Sequence, residues 1–383
     1  MNLRSLAVLL AVVGQGAACS CGVKLRAVPD PPPPPPNACD APGAVTGRVC
    51  APDDRTWLAG ASVEIAGADC SGKIFDRKTT SAADGTFILS NVPPGQWQMV
   101  TSLGSFSHTL TVNVPSAAKD VLPNDANCLD SVKAAVVTAH GDRIEQLLGN
   151  LKVTVTSFDG TAAGYASSAQ PLLTNLDALK KFDIVFIDCA TAAAKGQIDV
   201  RDDVAIAKTL HDYVMQGGSL YASDWAFLFL ALAFPDRFLF DLNGTPGQPA
   251  NPFDTTALLG YAPQEVTANV TDKGLATFLG KSTVNVSFPL DRTTHLITLH
   301  WGLMADAPAG VNVLLAGDAQ MCAPNDRKCK SAAGTAMNIP LAVQFHAAPA
   351  GVRGGNVVYT SFHNVEQSTN DVEQILKYLI FHL

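Results

Sequence analysis

Charge is scarce in this chain. Only 16% of its 383 residues are Asp, Glu, Lys or Arg, and 47% are hydrophobic. That balance excludes a generally disordered polypeptide, which lacks the apolar surface to form a core. Lysine and arginine form no cluster, and the net charge is −8. A phosphate backbone has no basic patch to meet, so nucleic acid is not an expected partner. Beyond the first twenty residues no apolar run is long enough to cross a bilayer as a helix. A paired Cys-x-x-Cys set of the zinc type is missing. So is a Gly-x-Ser-x-Gly turn, which argues against a Ser223 nucleophile. No cofactor is expected.

The amino terminus carries an address. Arg4 precedes the apolar run Leu6 to Val13, and the small residues Gly16-Ala17-Ala18 lead to Cys19. A positive start, a short apolar core and a small-residue cut site mark a secretory signal peptide over 1–18. The segment resembles a bacterial lipoprotein signal. Ala17 and Ala18 match it, while Gly16 stands where Leu is typical. The resemblance implies a lipid anchor on Cys19, with ordinary cleavage and a disulfide-bonded Cys19 or Cys21 as the other reading. Ser20 would then permit sorting to the outer membrane. The run Pro31 to Pro36 follows inside an anchor-and-linker segment, 19–41. Six residues of polyproline II span ~19 Å at about 3.1 Å each, a passive spacer between anchor and first domain.

Nine cysteines are many for a reducing compartment. With Cys19 lipidated, eight remain, an even number that suits disulfides. The local pairs Cys50 with Cys70 and Cys322 with Cys329 are the first candidates; a metal cluster is the rival reading.

Residues 42–117 read as short strands separated by turns. Ala44 to Val49, Ser62 to Ile65, Phe87 to Leu89, Trp97 to Val100 and Leu110 to Val114 carry strand patterning. Asp84-Gly85 and Val92-Pro93-Pro94-Gly95 supply reversals. Gly47, Val49, Leu58-Ala59-Gly60-Ala61-Ser62-Val63-Glu64-Ile65, Thr80, Asp84-Gly85-Thr86-Phe87 and Val92-Pro93-Pro94-Gly95 together resemble the carboxypeptidase regulatory-like domain. That resemblance implies a small transthyretin-like β-sandwich with no catalysis of its own. Asp84 is expected to cap a turn.

From about 130 to 383 strands and helices alternate. Ala134 to Thr138, Lys152 to Phe158, Ile184 to Ile187 and Leu220 to Ala222 read as strands. Between them lie a short helix opened by Asp142, a helical stretch Leu172 to Leu179, and a helix Val204 to Gln216 stopped by Gly217-Gly218. Phe227 to Phe234 is apolar but short, a core helix. Leu296 to Leu299, Val311 to Leu315, Leu341 to Phe345 and Val357 to Ser361 are later strands, and Asp371 to Leu383 closes as a helix. Alternation predicts a mostly parallel sheet covered on both faces. The segments Phe182 to Ile187, Tyr213 to Leu220 and Gly354 to His363 resemble the class I glutamine-amidotransferase-like fold, in its trehalose-utilisation-like branch. The implied fold is a flavodoxin-like α/β domain, so the whole chain is multidomain.

The family's Cys-His-Glu set is not found. Val343-Gln344-Phe345-His346 resembles the His segment, but Ala347-Ala348 lacks the Glu, and Ala222-Ser223-Asp224-Trp225 offers no Cys. Cys189 stands one strand too early and is expected to be buried or disulfide-bonded. Ligands of open α/β sheets sit beyond the strands' carboxyl ends, which here gathers His140, Asp188, Cys189, Ser223, Asp224, Trp225 and His363. Two histidines and two aspartates could bind a metal or move protons. The plainer reading makes Asp224 a helix cap, His363 a loop partner and Trp225 core filling. His295 and His300, five apart on a strand, face opposite sides. The sequence therefore predicts an exported, lipid-anchored cell-envelope protein that binds a carbohydrate, peptide or envelope protein without catalysis. The alternative is a cell-surface hydrolase built on His140, Asp224 and His363.

Overall fold

The computed structural model describes residues 41–189, 204–238, 259–289, 300–302, 304–322, 332–348, 352, 354–365 and 367–383. The expected signal peptide, the Cys19 anchor and the proline run lie outside these residues. So do Cys329, His295 and the expected strand 296–299. No helix among the described residues is long and apolar enough to cross a membrane.

The first unit is two sheets. Gly43–Arg48 (β1) lies between Thr86–Val92 (β4) and Lys119–Val121 (β7). The second sheet has the order Ile74–Thr80 (β3), Ser62–Ala68 (β2), Gly95–Leu103 (β5), Phe106–Val114 (β6). Period-two alternation turns Phe87 and Leu89 of one sheet, and Val63, Ile65, Trp97 and Met99 of the other, into a common core. Asp84 caps its turn as expected: Oδ1 accepts from the backbone N–H and the hydroxyl of Thr86, at 3.0 and 2.6 Å. Its Gly85 has φ +80° and approaches the carbonyl of Val49, so no side chain fits there.

The expected Cys50–Cys70 pair is not made. Cys50 follows β1, runs parallel to Cys128 in an isolated bridge, and is disulfide-bonded to it with Cα atoms 4.2 Å apart. Cys70 lies in the β2–β3 turn on the other sheet, where twenty residues of separation give no proximity. Cys70 and Cys322 each take part in a disulfide of their own. The bridge, β7, and the hydrogen bond from Thr101 Oγ1 to Asn127 Oδ1 carry this unit past residue 117 to about 129.

The second unit is built on an eleven-stranded mixed sheet. Five strands run parallel in the spatial order Thr154–Asp159 (β9), Lys133–Thr138 (β8), Ile184–Ile187 (β10), Ser219–Ser223 (β11), Asn356–Thr360 (β18). Beyond β18 the pairing turns antiparallel. Ala332–His346 (β17), Asn312–Cys322 (β16), Gln264–Val270 (β13) and Thr283–Phe288 (β14) follow in that order; Leu259–Tyr261 (β12) pairs with β16, and His300–Gly302 (β15) pairs with β12. The sheet is thus parallel over five strands rather than over most of its width. A β16–β17 hairpin supplies a strand where a further helical crossover would have been needed for a parallel one.

Strand alternation separates two cores. Ala134, Val136, Ile184 and Phe186 face Ile144–Asn150 (α1) and Asp371–Phe381 (α7). Ala135, Val137, Val185 and Ile187 face Ala169–Leu173 (α2), Leu176–Leu179 (α3), Val204–Met215 (α4) and Phe227–Ala233 (α5). Helix α7 shows why: Val372, Ile375, Leu376, Leu379 and Ile380 recur at helical spacing and are all buried. Helix α5 is buried at every residue but Leu232, the core helix its composition predicted. Lys273–Leu279 (α6) packs against α7, capped by Asp272 and ended by Gly280 at φ +64°.

The first core is continuous from one unit into the other. Phe106 packs on Phe381 with ring centroids 4.9 Å apart. Ser105 donates to the carbonyl of Leu383 through both its N–H and its hydroxyl, at 2.6 and 2.9 Å.

Candidate functional site

Four strands of the parallel set end at one place. Asp142 follows β8, Asp188 and Cys189 follow β10, Asp224 follows β11, and His363 follows β18. The order reverses between β8 and β10, so the cluster lies at the switch point where such sheets bind ligands.

Asp224 sits at the sharp step from strand to helix, with φ +42°, a left-handed backbone that non-glycine residues rarely adopt. It does not cap the following turn. Instead Oδ1 accepts from the backbone N–H of Gly302 at 2.9 Å, and Oδ2 accepts from the thiol of Cys189 at 3.2 Å. Burial pushes its pKa up to about 6, against the pull of His363. Tyr359, itself buried, donates from its hydroxyl to the carbonyls of Gly302 and Asp224 and so fixes both backbones.

Cys189 is the one free cysteine among the described residues, and it is buried, as its strand-end position predicted. Burial drives its thiol well above the usual range, and the negative charges of Asp224 and Asp142 drive it further. The backbone of Trp225 favours the thiolate, but weakly against these. Gly141 makes room for the sulfur: a Cβ there would stand 2.9 Å from Sγ.

A polar network holds this sulfur in place. The backbone N–H of Cys189 donates to the hydroxyl of Ser223 at 2.9 Å, and that hydroxyl donates to Asp142 Oδ2. Asp142 Oδ1 accepts from the N–H of Asn364 at 2.8 Å, and Asn364 Oδ1 accepts from the N–H of Arg143. Asp142 thus ties β8 to the β18 end, rather than opening α1 as expected. Asp188 points elsewhere. Its carboxyl is fully buried, and burial, then the charges of Asp142 and Glu145, push its pKa well up, while the backbone of Ala139 pulls it down.

Sequence reasoning gathered His140, Asp224 and His363 as one set. The structure brings Asp224 and His363 together with Cys189: one ligand atom from each lies within 4.8 Å of the others. His140 is exposed and outside that group. Trp225 is buried among the apolar residues of the second core, as its plainer reading held. His346 ends β17 opposite Asn356, at the other end of β18 from His363, with Nδ1 3.1 Å from Asn356 Oδ1. Sequence reasoning missed Asn364 and Gly302. The Gly141-Asp142 pair after a buried strand was the available signal for a tight approach there; nothing local marked Gly302.

Comparisons with known proteins add little. No family model and no curated protein matches the chain. Among solved structures, the Bacillus anthracis TIE protein is 16% identical over 27% of this chain, with a TM-score of 0.19. The match spans 20% of the TIE protein's length. A type II cohesin–X-dockerin complex from Acetivibrio cellulolyticus is 15% identical over 29% of this chain and 84% of its own, also at 0.19. A 9R-lipoxygenase from Cyanothece PCC8801 is 10% identical over 83% of this chain and 42% of its own, at 0.15. Scores this low carry no inference about fold or activity.

Proposed function

We propose that this is an exported, lipid-anchored envelope protein in which a transthyretin-like sandwich of the carboxypeptidase regulatory type carries a flavodoxin-like, amidotransferase-like unit that binds without catalysing acyl transfer. The spatial order β9-β8-β10-β11-β18, which is 2-1-3-4-5 in chain order, supports the flavodoxin-like assignment. Two small sheets over one core support the sandwich. The disulfide between Cys50 and Cys128 suits an oxidising compartment. A carbohydrate, peptide or envelope protein is the class of partner, with the outer membrane as location.

The observation that carries the non-catalytic reading is at the β11 turn. At the strand-to-helix step, where the amidotransferase-like family sets its nucleophile, stands Asp224 with φ +42°. The nearby thiol of Cys189 is buried and held protonated beside a carboxylate. A thiol of that kind is neither exposed nor ionised, and attack requires both. The test is a panel of amide and ester substrates with the purified mature protein. No turnover is expected. Turnover that Cys189→Ser abolishes would overturn the reading.

A second reading, hydrolysis without the thiol, has one observation in its favour: Asp224, titrating at about 6, shares the crevice with His363. A carboxyl in that range can move protons near neutral pH. Turnover that survives Cys189→Ser and disappears in His363→Gln would select it.

A further inference from the structure

We propose that Cys189, Asp224 and His363 bind one divalent transition-metal ion of the zinc class through the cysteine sulfur, one carboxylate oxygen and one imidazole nitrogen, leaving a fourth position open. The proposal rests on reading this crevice as a binding site rather than a thiol active site.

The geometry is close to what such an ion needs. Zinc bonds of about 2.3 Å to sulfur and 2.0–2.2 Å to nitrogen and oxygen, at tetrahedral angles, hold ligand atoms about 3.5 Å apart. Here Sγ of Cys189 and Oδ2 of Asp224 are 3.2 Å apart, and the widest pair of the three is no more than 4.8 Å. Side-chain rotation closes a gap of that size. The three ligands arise at the ends of three neighbouring strands, β10, β11 and β18, whose register is fixed by parallel pairing.

Two further features favour an ion over a purely structural cluster. Nδ1 of His363 is buried and has no hydrogen-bond partner, which is costly for a ring nitrogen. Oδ2 of Asp224 has only a thiol donor, a weak one. A metal held by His363 Nδ1 and Asp224 Oδ2 would supply both with a partner. The donor set selects the ion: sulfur with imidazole favours zinc-like cations, while magnesium and calcium take oxygen alone. Charge closes as well. Binding M²⁺ releases the thiol proton to solvent, and the ion with its thiolate, carboxylate and neutral imidazole ligands then carries no net charge. The outer partners match the usual pattern for metal ligands: the Gly302 N–H orients Asp224, and Ser223 fixes the Cys189 backbone.

The test uses the full mature chain with its disulfides intact, stripped with a chelator and titrated with cobalt(II), then zinc. One cobalt per chain is expected, with a thiolate-to-cobalt charge-transfer band that zinc displaces. Cys189→Ser should abolish the band. His363→Gln, at a partly exposed residue, should weaken cobalt binding by at least about tenfold, the lower end of what loss of even an outer partner costs. Melting curves establish that each variant is folded. A band that survives Cys189→Ser, or wild-type binding no tighter than that of His363→Gln, would overturn the proposal. Its failure leaves the non-catalytic reading standing, because turnover decides that reading and metal content does not.

Discussion

The thiol of Cys189 donates to Oδ2 of Asp224 across 3.2 Å, which joins the ends of two adjacent parallel strands through their side chains. The carboxylate is the largest charged influence on that sulfur after burial itself. Replacing it with a neutral amide removes the negative charge and offers the thiolate a donor instead. Asp224→Asn should therefore lower the Cys189 pKa and raise its rate of alkylation by a small reagent severalfold at pH 8. The pH profile of labelling, followed by mass spectrometry in the metal-free protein, checks this. An unchanged profile would mean that burial and Asp142, not Asp224, control the thiol.

Much of this site could be read from the sequence, and the part that could not has a physical reason. Asp224 and His363 follow apolar strands that predict their own ends, so their place in the crevice was visible. Cys189 was assigned to the same rim, yet its partnership with Asp224 depends on β10 and β11 being neighbours in register. Nothing in either segment encodes that. The first unit was legible where turns are chemically marked, at Asp84-Gly85 and Pro94-Gly95. The exposed edge strand β3 and the three-residue β7 were not, because few of their side chains are buried. Strands β13 and β14 were missed although Val266 and Ala268, and Val284, Val286 and Phe288, alternate cleanly. Asp272 and Gly280 bracket α6 as cap and stop, a signal that was present and unused. The Cys50–Cys128 pairing was out of reach, since it links two segments 78 residues apart that lie outside the strands.

The two units are riveted at the β5–β6 turn. Gly104 has φ +55°, and a Cβ there would press on the carbonyls of Leu383 and Phe381. Gly104→Ala should destabilise the chain by about 1–3 kcal/mol, combining backbone strain with displacement of the contact. Phe381→Ala, which removes the ring packed on Phe106, should cost about 3–5 kcal/mol. Urea unfolding measures both. If either variant unfolds with the wild-type midpoint, the shared core does not couple the units.

His382 gives stability a pH dependence of known sign. Its ring stacks on Tyr378 with centroids 3.8 Å apart, and its Nδ1–H donates to the Tyr378 carbonyl at 2.7 Å. Burial lowers its pKa below 6.5. Between that lowered value and 6.5 the unfolded chain holds more protons than the folded one, so stability rises with pH across the window. It is fully present above 6.5 and is lost as pH falls through it. His382→Asn keeps a donor for the Tyr378 carbonyl and removes the titration. Unfolding free energies measured from pH 7.5 to pH 5 should fall less steeply in this variant than in the wild type. Parallel slopes would assign the acid sensitivity to other groups.

The Cys50–Cys128 bridge closes a loop of 78 residues around the first unit. By chain entropy a loop of that length stabilises the fold by about 4–5 kcal/mol, more than the local Cys50–Cys70 pair would have done. The double variant Cys50→Ser/Cys128→Ser should lose most of that in urea unfolding under oxidising conditions. Its loss should fall mainly on the first unit, because Leu129 N–H, Asn127 and β7 are all held to β1 and β5 beside the bridge. Hydrogen exchange read strand by strand separates this from a uniform effect. Protection lost in β1, β4 and β7 and retained in β8, β10 and β11 is the expected pattern. Equal loss in both sets would mean that the shared core makes the chain unfold as one body, and that the bridge stabilises the whole of it.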